Sequence, residues 1–202
     1  MVLLLKEARQ HSDIALVEEC QKGDPEAFDE LVRRHKERVY NVVYRFLGHR
    51  EDALDVCQEV FVRAYQSITA FRGGSQVYTW LHSIAANLAK NRIRDRKRKG
   101  RNMGTSLEAL AEAAPGVAQM AERTNEAGPE SIAMTRELEE VLQRCLGELP
   151  EHYRLTFVLR TIDDLSYEEI ASVMNCPVGT VRSRLNQARR ILRDRLTELK
   201  VM

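Results

Sequence analysis

Residues 165–195, LSYEEIASVMNCPVGTVRSRLNQARRILRDR, have the pattern of two helices joined by a short turn. Ser166 and Glu169 are spaced as a capping box, in which the hydroxyl and the carboxylate bind free backbone N–H groups at a helix start. The sequence Asn175-Cys176-Pro177 predicts the end of the first helix, because proline disfavours helical backbone in the residue before it. We expect a second helix to begin near Val178.

The predicted second helix has an apolar side and a polar side. Its apolar residues recur at i, i+4, i+7 and i+11 and therefore form one stripe, made of Val181, Leu185, Ala188 and Leu192. The side chains that face away from this stripe are Arg182, Ser183, Asn186, Gln187 and Arg190. Such side chains bind base edges and phosphates, so the pattern favours a helix-turn-helix DNA reader. The alternative is an ordinary helical hairpin with a solvated basic face.

The net charge of the chain is only +1, but its charges are unevenly distributed. In residues 90–101 the only acidic residue is Asp95, and the basic residues are Lys90, Arg92, Arg94, Arg96, Lys97, Arg98, Lys99 and Arg101. The 178–195 segment is a second basic zone. Two basic zones on a nearly neutral chain predict two DNA contacts and an additional protein partner.

The composition favours a mostly helical protein that does not enter a membrane. The chain of 202 residues is 44% hydrophobic and has no apolar run of about 18 residues. The opening Met1–Leu5 segment is too short for a secretory signal and has no charged region before it. A cytoplasmic location without membrane insertion is expected.

The cysteines and histidines have no spacing typical of a metal site or a disulfide framework. Cys20, Cys57, Cys145 and Cys176 are scattered and lack a CxxC pair. We expect reduced thiols, no bound metal and no cofactor. The chain also lacks a phosphate-binding G-x-x-x-x-G-K-[ST] loop, and no catalytic residue is assigned.

The N-terminal half predicts four helices, at about 12–21, 25–48, 50–67 and 77–99. In the third, the predicted buried face comprises Leu54, Cys57, Phe61, Ala64, Tyr65 and Ile68. Another side carries Asp55, Gln58, Glu59 and Val62. This second side could be a solvated face or could dock onto a basic partner surface.

The fourth predicted helix combines an apolar side with a polar, cationic one. Leu81, Ile84, Ala85 and Leu88 are expected to turn inward, and the opposite side carries Ser83, Asn87, Lys90, Asn91, Arg94 and Lys97. Phe71, Tyr78 and Trp80 flank this region. Aromatic rings with cations between them favour single-stranded DNA, because bases stack on rings while cations follow phosphates. The alternative places Tyr78 and Trp80 in the core.

An acidic segment separates the two halves. Residues 102–135 are rich in Ala, Gly, Pro and Glu and predict a flexible linker, with a transient turn near 106–113. The C-terminal half begins near Arg136 with a predicted apolar stripe of Leu138, Val141, Leu142, Cys145 and Leu149. A helix at 151–162 and the helix-turn-helix follow. The expected fold is all-α, with two small helical domains at 1–101 and 136–202.

Four segments in this order resemble the group IV, or extracytoplasmic function, sigma factors of the sigma-70 family (the sigma-E-like group): AFDELVRRH (27–35), EDALDVCQEVFVRAY (51–65), FRGGSQVYTWLHSIAANLAKNRIRDRKR (71–98) and LPEHYRLTFVLRTIDDLSYEEIASVMNCPVGTVRSRLNQARR (149–190). The resemblance implies sigma domain 2 in 1–101 and sigma domain 4 in 136–202. It implies promoter recognition, promoter melting and transcription initiation, in a stress or envelope response. The implied partners are promoter DNA, core RNA polymerase through its β′ clamp helices and β flap, and an anti-sigma factor, with a monomeric free chain.

The resemblance also assigns roles to individual residues. Those matching the surface that binds core polymerase are Asp55, Gln58, Glu59 and Val62. Those matching the minus-ten segment are Phe71, Arg72, Tyr78, Trp80, Asn87, Lys90, Asn91, Arg94 and Lys97. Those matching the minus-thirty-five reader are Thr180, Arg182, Ser183, Asn186, Gln187 and Arg190.

Two other classes of protein compete with this interpretation. A stand-alone helix-turn-helix regulator would dimerise and bind specific duplex DNA by itself. An enzyme would use Cys57 or Cys145 with a histidine as a nucleophile pair.

Overall fold

A computed structural model describes residues 12–102 and 129–199, which form eight α-helices and contain no strand. The all-α prediction is confirmed for this part of the chain. Within it, no helix combines the length and the apolarity needed to cross a membrane. The opening 1–5 segment, the central part of the predicted linker and its 106–113 turn lie outside the described residues.

The N-terminal half contains helices α1 (Asp13–Gln21), α2 (Pro25–Leu47), α3 (Arg50–Ser67) and α4 (Val77–Asn102), with a 3-10 turn at Ile68–Ala70 after α3. Helix α2 starts where the sequence predicts, because the Asp24 carboxylate accepts a hydrogen bond from the Glu26 N–H at 2.9 Å and Pro25 needs no such partner. It ends at Gly48, whose φ of 76° lies in the left-handed region that glycine adopts without strain.

The C-terminal half contains helices α5 (Pro129–Glu148), α6 (Glu151–Thr161), α7 (Tyr167–Met174) and α8 (Val178–Glu198). Helix α5 begins at Pro129, so the last part of the predicted linker is helical. Of the predicted α5 stripe, Cys145 and Leu149 are buried. Leu138 was expected there too, but it is 57% exposed because it lies near the less covered start of the helix.

The buried side of α3 differs from the predicted one. Ala53, Val56 and Val60 are fully covered, whereas Leu54 and Tyr65 are 51% and 56% exposed. Both of the exposed residues were expected in the core. The prediction is wrong because α3 packs between α2 and α4, and these neighbours cover a different arc of the helix from the one chosen by sequence spacing.

The two halves contact each other directly, which the sequence does not predict. Helix α2 packs against α5 and α6, and α4 packs against α7. The Arg154 guanidinium donates to the Phe46 carbonyl oxygen at 2.9 Å, and Arg45 pairs with Glu139 at 3.0 Å. The contact therefore includes side-chain hydrogen bonds to backbone as well as ion pairs.

A buried histidine connects α1 to α2. His35 is 5% exposed, and its Nε2 lies 2.8 Å from an Asp13 carboxylate oxygen. Burial lowers the pKa of His35, and the opposing effect of Asp13 does not restore its usual value of 6.5. The folded protein therefore favours the neutral imidazole more strongly than the unfolded chain does.

The pKa of His35 predicts a contribution to pH-dependent stability. Because the folded-state pKa is depressed, protonation favours the unfolded chain, so this contribution is complete above pH 6.5 and declines as the pH falls below it. In urea unfolding experiments, the free energy of unfolding of His35→Gln should fall less steeply below pH 6.5 than that of the parent chain. The matched control is His152→Gln, at an exposed position on α6. Equal pH slopes for His35→Gln and the parent would contradict the prediction.

Candidate functional site

The turn between α7 and α8 has the geometry that its sequence predicts. The Ser166 hydroxyl accepts from the Glu169 N–H at 3.2 Å, and the Glu169 carboxylate accepts from the Ser166 N–H at 2.8 Å. The capping box is therefore complete. Asn175 ends α7 with a left-handed φ of 48°, a conformation that asparagine tolerates, and α8 begins at Val178. The two helices form a helix-turn-helix.

Helix α8 presents its polar side outward. All four residues of the predicted apolar stripe are buried, namely Val181, Leu185, Ala188 and Leu192. On the opposite side Arg182, Ser183, Asn186 and Arg190 are exposed, while Thr180 and Gln187 are half-buried. The Ser183 hydroxyl donates to the Thr180 carbonyl oxygen at 2.9 Å. Its lone pairs remain available to an external donor.

Helix α4 carries a second polar face. Asn87, Asn91 and Arg94 are exposed, and the Arg94 guanidinium donates to the Asn91 side-chain oxygen at 2.8 Å. The face combines amide groups, which bind bases or phosphates, with guanidinium groups, which bind phosphates. It differs from the α8 face in leading into the basic C-terminal part of α4.

Two cations assigned to this region lie where the C-terminal half approaches α4. Lys90 is half-buried, and burial lowers its pKa, with a smaller lowering from the charge of Arg184 on α8. The Lys97 ammonium donates to a Glu151 carboxylate oxygen of α6 at 2.5 Å. Lys97 is thus engaged by the other half of the protein, whereas Lys90 lies near the charge of Arg184 in that half.

The aromatic residues before and within α4 occupy two environments. The rings of Phe71 and Trp80 pack together with centroids 5.0 Å apart, and both residues are half-buried. Gln21 holds this loop in place, because its amide donates to the Phe71 carbonyl oxygen at 2.9 Å. Arg72 is exposed beside them. Tyr78 instead donates its hydroxyl hydrogen to Glu169 of α7.

The four α3 residues selected from the sequence line one shallow depression, together with Arg92. Asp55 pairs with Arg92 at 3.3 Å, and Glu59 pairs with Arg63 at 2.6 Å. Val62 lines the same depression and is 50% exposed. The structure therefore brings acidic and apolar side chains together on one accessible surface.

Leu54 and Tyr65 extend this surface, and sequence analysis missed them. At about 100° per residue, both project next to Gln58 and Val62 on α3. Their apolar side chains are exposed, although one edge of Tyr65 packs on Phe28 with centroids 5.0 Å apart. The presence of Tyr65 could have indicated this exposed surface, because tyrosine is common at surfaces that bind other proteins.

Asp163, in the turn between α6 and α7, is a second feature missed from the sequence. Only 8% of it is exposed, and its carboxylate accepts from Arg38 at 2.7 Å and contacts the His82 Nε2 atom. Burial raises the pKa of Asp163, but His82 and Arg38 outweigh that effect and hold the pKa below its ordinary value. A charged carboxylate is thus buried between two groups of the other half.

The thiols in the enzyme hypothesis are not activated. Burial raises the pKa of Cys57 to about 11, and burial together with the Glu148 charge raises the pKa of Cys145. Thiols with raised pKa values are poor nucleophiles at neutral pH. Across residues 12–102 and 129–199, no cluster of three His, Cys, Asp or Glu side chains could hold a metal ion.

Two families match the chain. The family described as Sigma-70 region 2 matches residues 31–99, and the family described as Sigma-70, region 4 matches residues 139–192. The ECF RNA polymerase sigma-E factor of Escherichia coli (strain K12) is 40% identical over 193 residues, covering 95% of this chain and 98% of the relative. The sigma-E factor of Haemophilus influenzae is also 40% identical, over 95% of this chain and 99% of the relative.

Solved structures share the fold. "Structure of CnrH in complex with the cytosolic domain of CnrY" has a TM-score of 0.67 at 23% identity and covers 93% of this chain and 99% of that chain. The sigma factor RpoE in complex with the anti-sigma factor NepR from Bartonella quintana also has a TM-score of 0.67, at 20% identity, and covers 84% of this chain and 96% of that chain.

Proposed function

Since the chain belongs to the extracytoplasmic function sigma factors of the sigma-70 family, which direct RNA polymerase to promoters, we propose how its surfaces divide that work. The observation that supports the division is that one chain presents three accessible faces of different chemistry. Helix α3 has an acidic and apolar face, α4 has an amide-rich and cationic face, and α8 has the outward polar face of a helix-turn-helix.

The α3 surface binds core polymerase. The residues proposed for this contact are Asp55, Gln58, Glu59 and Val62, with Leu54 and Tyr65 at its apolar edge. Acidic groups beside exposed apolar side chains suit a basic partner surface that can also bury hydrophobic area. The β′ clamp helices of the polymerase are the proposed partner here, and the β flap is proposed for the C-terminal domain.

The α4 region binds and melts the minus-ten element. Its exposed residues Asn87, Asn91 and Arg94 contact the single strand, and Arg72 lies close to the Phe71 loop. The paired rings of Phe71 and Trp80 offer a stacking surface for an unstacked base. Opening a base step costs a few kcal/mol, which stacking and pocket contacts offset. Lys90 also belongs to this surface, and Tyr78 and Lys97 join it once they leave Glu169 and Glu151.

Helix α8 binds the minus-thirty-five element in the major groove. Arg182 and Asn186 contact base edges, and Arg182 lies in the first turns of the recognition helix, the part that reaches furthest into the groove. Thr180, Ser183, Gln187 and Arg190 contact neighbouring bases or phosphates. Backbone contacts position the domain, and base contacts supply sequence preference.

The remaining assignments follow from family membership. The sigma-70 family is not a family of catalytic enzymes, and we propose that this chain has no catalytic activity and needs no cofactor. It acts in the cytoplasm as a monomer when free, in a stress or envelope response. An anti-sigma factor is a proposed partner. One structure of similar fold is described as a complex with an anti-sigma factor, and another as a complex with the cytosolic domain of a second protein.

Transcription in vitro with core polymerase on a genomic DNA library tests the function. We expect defined start sites that require the chain, and a shared upstream motif among them. Specific duplex binding by a dimer of the chain, without any polymerase-dependent start site, would instead identify a stand-alone regulator.

Reversing charge on the α3 surface should impair polymerase binding. We expect Asp55→Arg with Glu59→Arg to weaken affinity for core polymerase by more than about tenfold, because like charges facing a basic surface cost several kcal/mol. The fold should persist, since the ion pairs lost are exposed ones that contribute little stability. Affinity is measured by titrating labelled core polymerase.

The control for this double reversal makes the same charge change elsewhere. Glu18→Arg with Asp29→Arg alters exposed acidic residues on α1 and α2 and should leave affinity unchanged. Equal losses in both double variants would show a general charge effect and contradict the assignment of the α3 surface.

Truncating one arginine of α8 should reduce the selectivity of the chain among promoters. We expect Arg182→Ala to lose about 1–3 kcal/mol of minus-thirty-five recognition, the usual cost of a lost base contact. The measurement compares start-site usage across the promoters found in the library. Arg195→Ala is the control, because Arg195 lies at the other end of α8 and pairs with Glu148 at 2.7 Å. Unchanged selectivity in Arg182→Ala would exclude a base contact by this residue.

A further inference from the structure

The side-chain amide of Gln21, the last residue of α1, is bound to the backbone where α3 leads into the loop at residues 71–76. Its nitrogen donates to the Ile68 carbonyl oxygen at 2.8 Å and to the Phe71 carbonyl oxygen at 2.9 Å. An amide nitrogen carries two hydrogens, so each carbonyl oxygen can receive its own. The Ile68 oxygen also accepts from the Phe71 N–H at 3.1 Å. Gln21 therefore binds both ends of the 3-10 turn from which the loop starts.

Helix α1 is well placed to support this turn. It packs against α2 and against the 3-10 turn, and its residues Leu16 and Val17 are buried. At its first residue, an Asp13 carboxylate oxygen lies 2.8 Å from the Nε2 atom of the buried His35. The nine-residue helix is thus attached to α2 at its start and to the loop at its end, through Gln21.

The loop itself has little else to order it in its middle. Residues 72–74 are exposed, and a Cβ atom added to Gly73 or Gly74 would meet no atom within 4 Å. Glycine loses more conformational freedom on ordering than any other residue. At the far end, the Trp80 N–H donates to the Gln76 carbonyl oxygen at 3.1 Å, where α4 begins. The conformation of the loop therefore depends on the attachments at its two ends.

Phe71 connects the Gln21 amide to the aromatic pair. The residue carries the carbonyl oxygen that Gln21 binds and the ring that packs on Trp80, with centroids 5.0 Å apart and ring planes inclined by 48°. Because a side chain leaves the backbone in a direction set by the backbone conformation, holding the carbonyl group restricts where the ring can point. A binding surface that is already ordered loses less entropy when its ligand arrives.

We propose that Gln21 is a positioning residue for promoter melting, whose two donated hydrogen bonds hold the Phe71 and Trp80 rings in place for an unstacked base of the minus-ten element. Gln21 acts through the loop and does not contact the base. Without its donors, a smaller fraction of the molecules has the rings arranged to capture a base. The role in melting rests on the function proposed for the α4 region, whereas the hold on the loop is a property of the free chain.

Fluorescence of the free full-length chain tests the hold on the loop. Trp80 is the only tryptophan, so its emission reports on the ring pair. We expect Gln21→Leu and Gln21→Glu to raise the acrylamide quenching constant of Trp80 about twofold, because both remove the donors and allow local opening around the indole. Gln21 is exposed, so the fold should persist, as circular dichroism checks. If Gln21→Glu loses helix, Gln21→Leu decides. Unchanged quenching in the folded variants would overturn the inference.

The matched control is Gln66→Glu. It makes the same change from amide to carboxylate at an exposed position on α3, two residues before Ile68. Its quenching constant should equal that of the parent. A rise as large as that of Gln21→Glu would show a general effect of the added charge and would count against specific hydrogen bonds from Gln21.

Transcription with core polymerase tests the role in melting. One promoter is used as a duplex and again with its minus-ten bases unpaired by mismatches. We expect Gln21→Leu to lower initiation on the duplex about fivefold relative to the mismatched template, the effect of losing about one hydrogen bond. The parent and Gln66→Glu should share one ratio.

A melting role predicts a loss confined to the duplex. Equal losses on both templates, or an unchanged ratio in a variant whose Trp80 is more strongly quenched, would overturn the role of Gln21 in melting. If the parent chain initiates at no specific promoter, the proposed function fails together with that role. The quenching comparison would still decide whether Gln21 holds the Phe71 and Trp80 rings.

Discussion

Helix α4 has to satisfy three sets of neighbours around one axis, and the rest of the structure is arranged about that constraint. One side packs on α2 and α3, and a second side carries His82 to the buried Asp163 of the other half. The third side keeps Asn87, Asn91 and Arg94 in solvent. Because a helix has only 3.6 residues per turn, these sides meet at shared edges, and a residue at such an edge is close to the neighbours of both sides. Lys97 lies near such an edge, and its ammonium donates to Glu151 of α6.

The contact between the halves is specific because it contains a buried, charged side chain. An apolar contact would tolerate many relative orientations, whereas Asp163 needs Arg38 and His82 at fixed positions to remain buried. Buried ion pairs add little net stability, since desolvation offsets most of their attraction, but they penalise the loss of any partner. Such a contact can be well defined and still reversible.

The helix boundaries and the α8 faces were predictable because local signals agree with the tertiary packing. The Ser166 capping box, Asp24-Pro25 and Gly48 each act within a few residues, and all three appear as predicted. The sides of α3 were harder to assign. Its apolar residues occupy so much of the helix surface that spacing alone allowed either Leu54 and Tyr65 or Ala53 and Val56 to be inside. The positions of α2 and α4 select the second set, and this leaves an apolar edge beside Asp55 and Glu59.

The sequence by itself determined the all-α class, the helix-turn-helix, the acidic side of α3 and the polar side of α4. These features depend on periodicity, capping and charge spacing, which act over one or two helical turns. Only the tertiary structure decided that Leu54 and Tyr65 are exposed and that Asp163 is buried against Arg38 and His82. Asp163 is separated from Arg38 by 125 residues. No local pattern encodes so distant a pairing, because it depends on how whole helices pack.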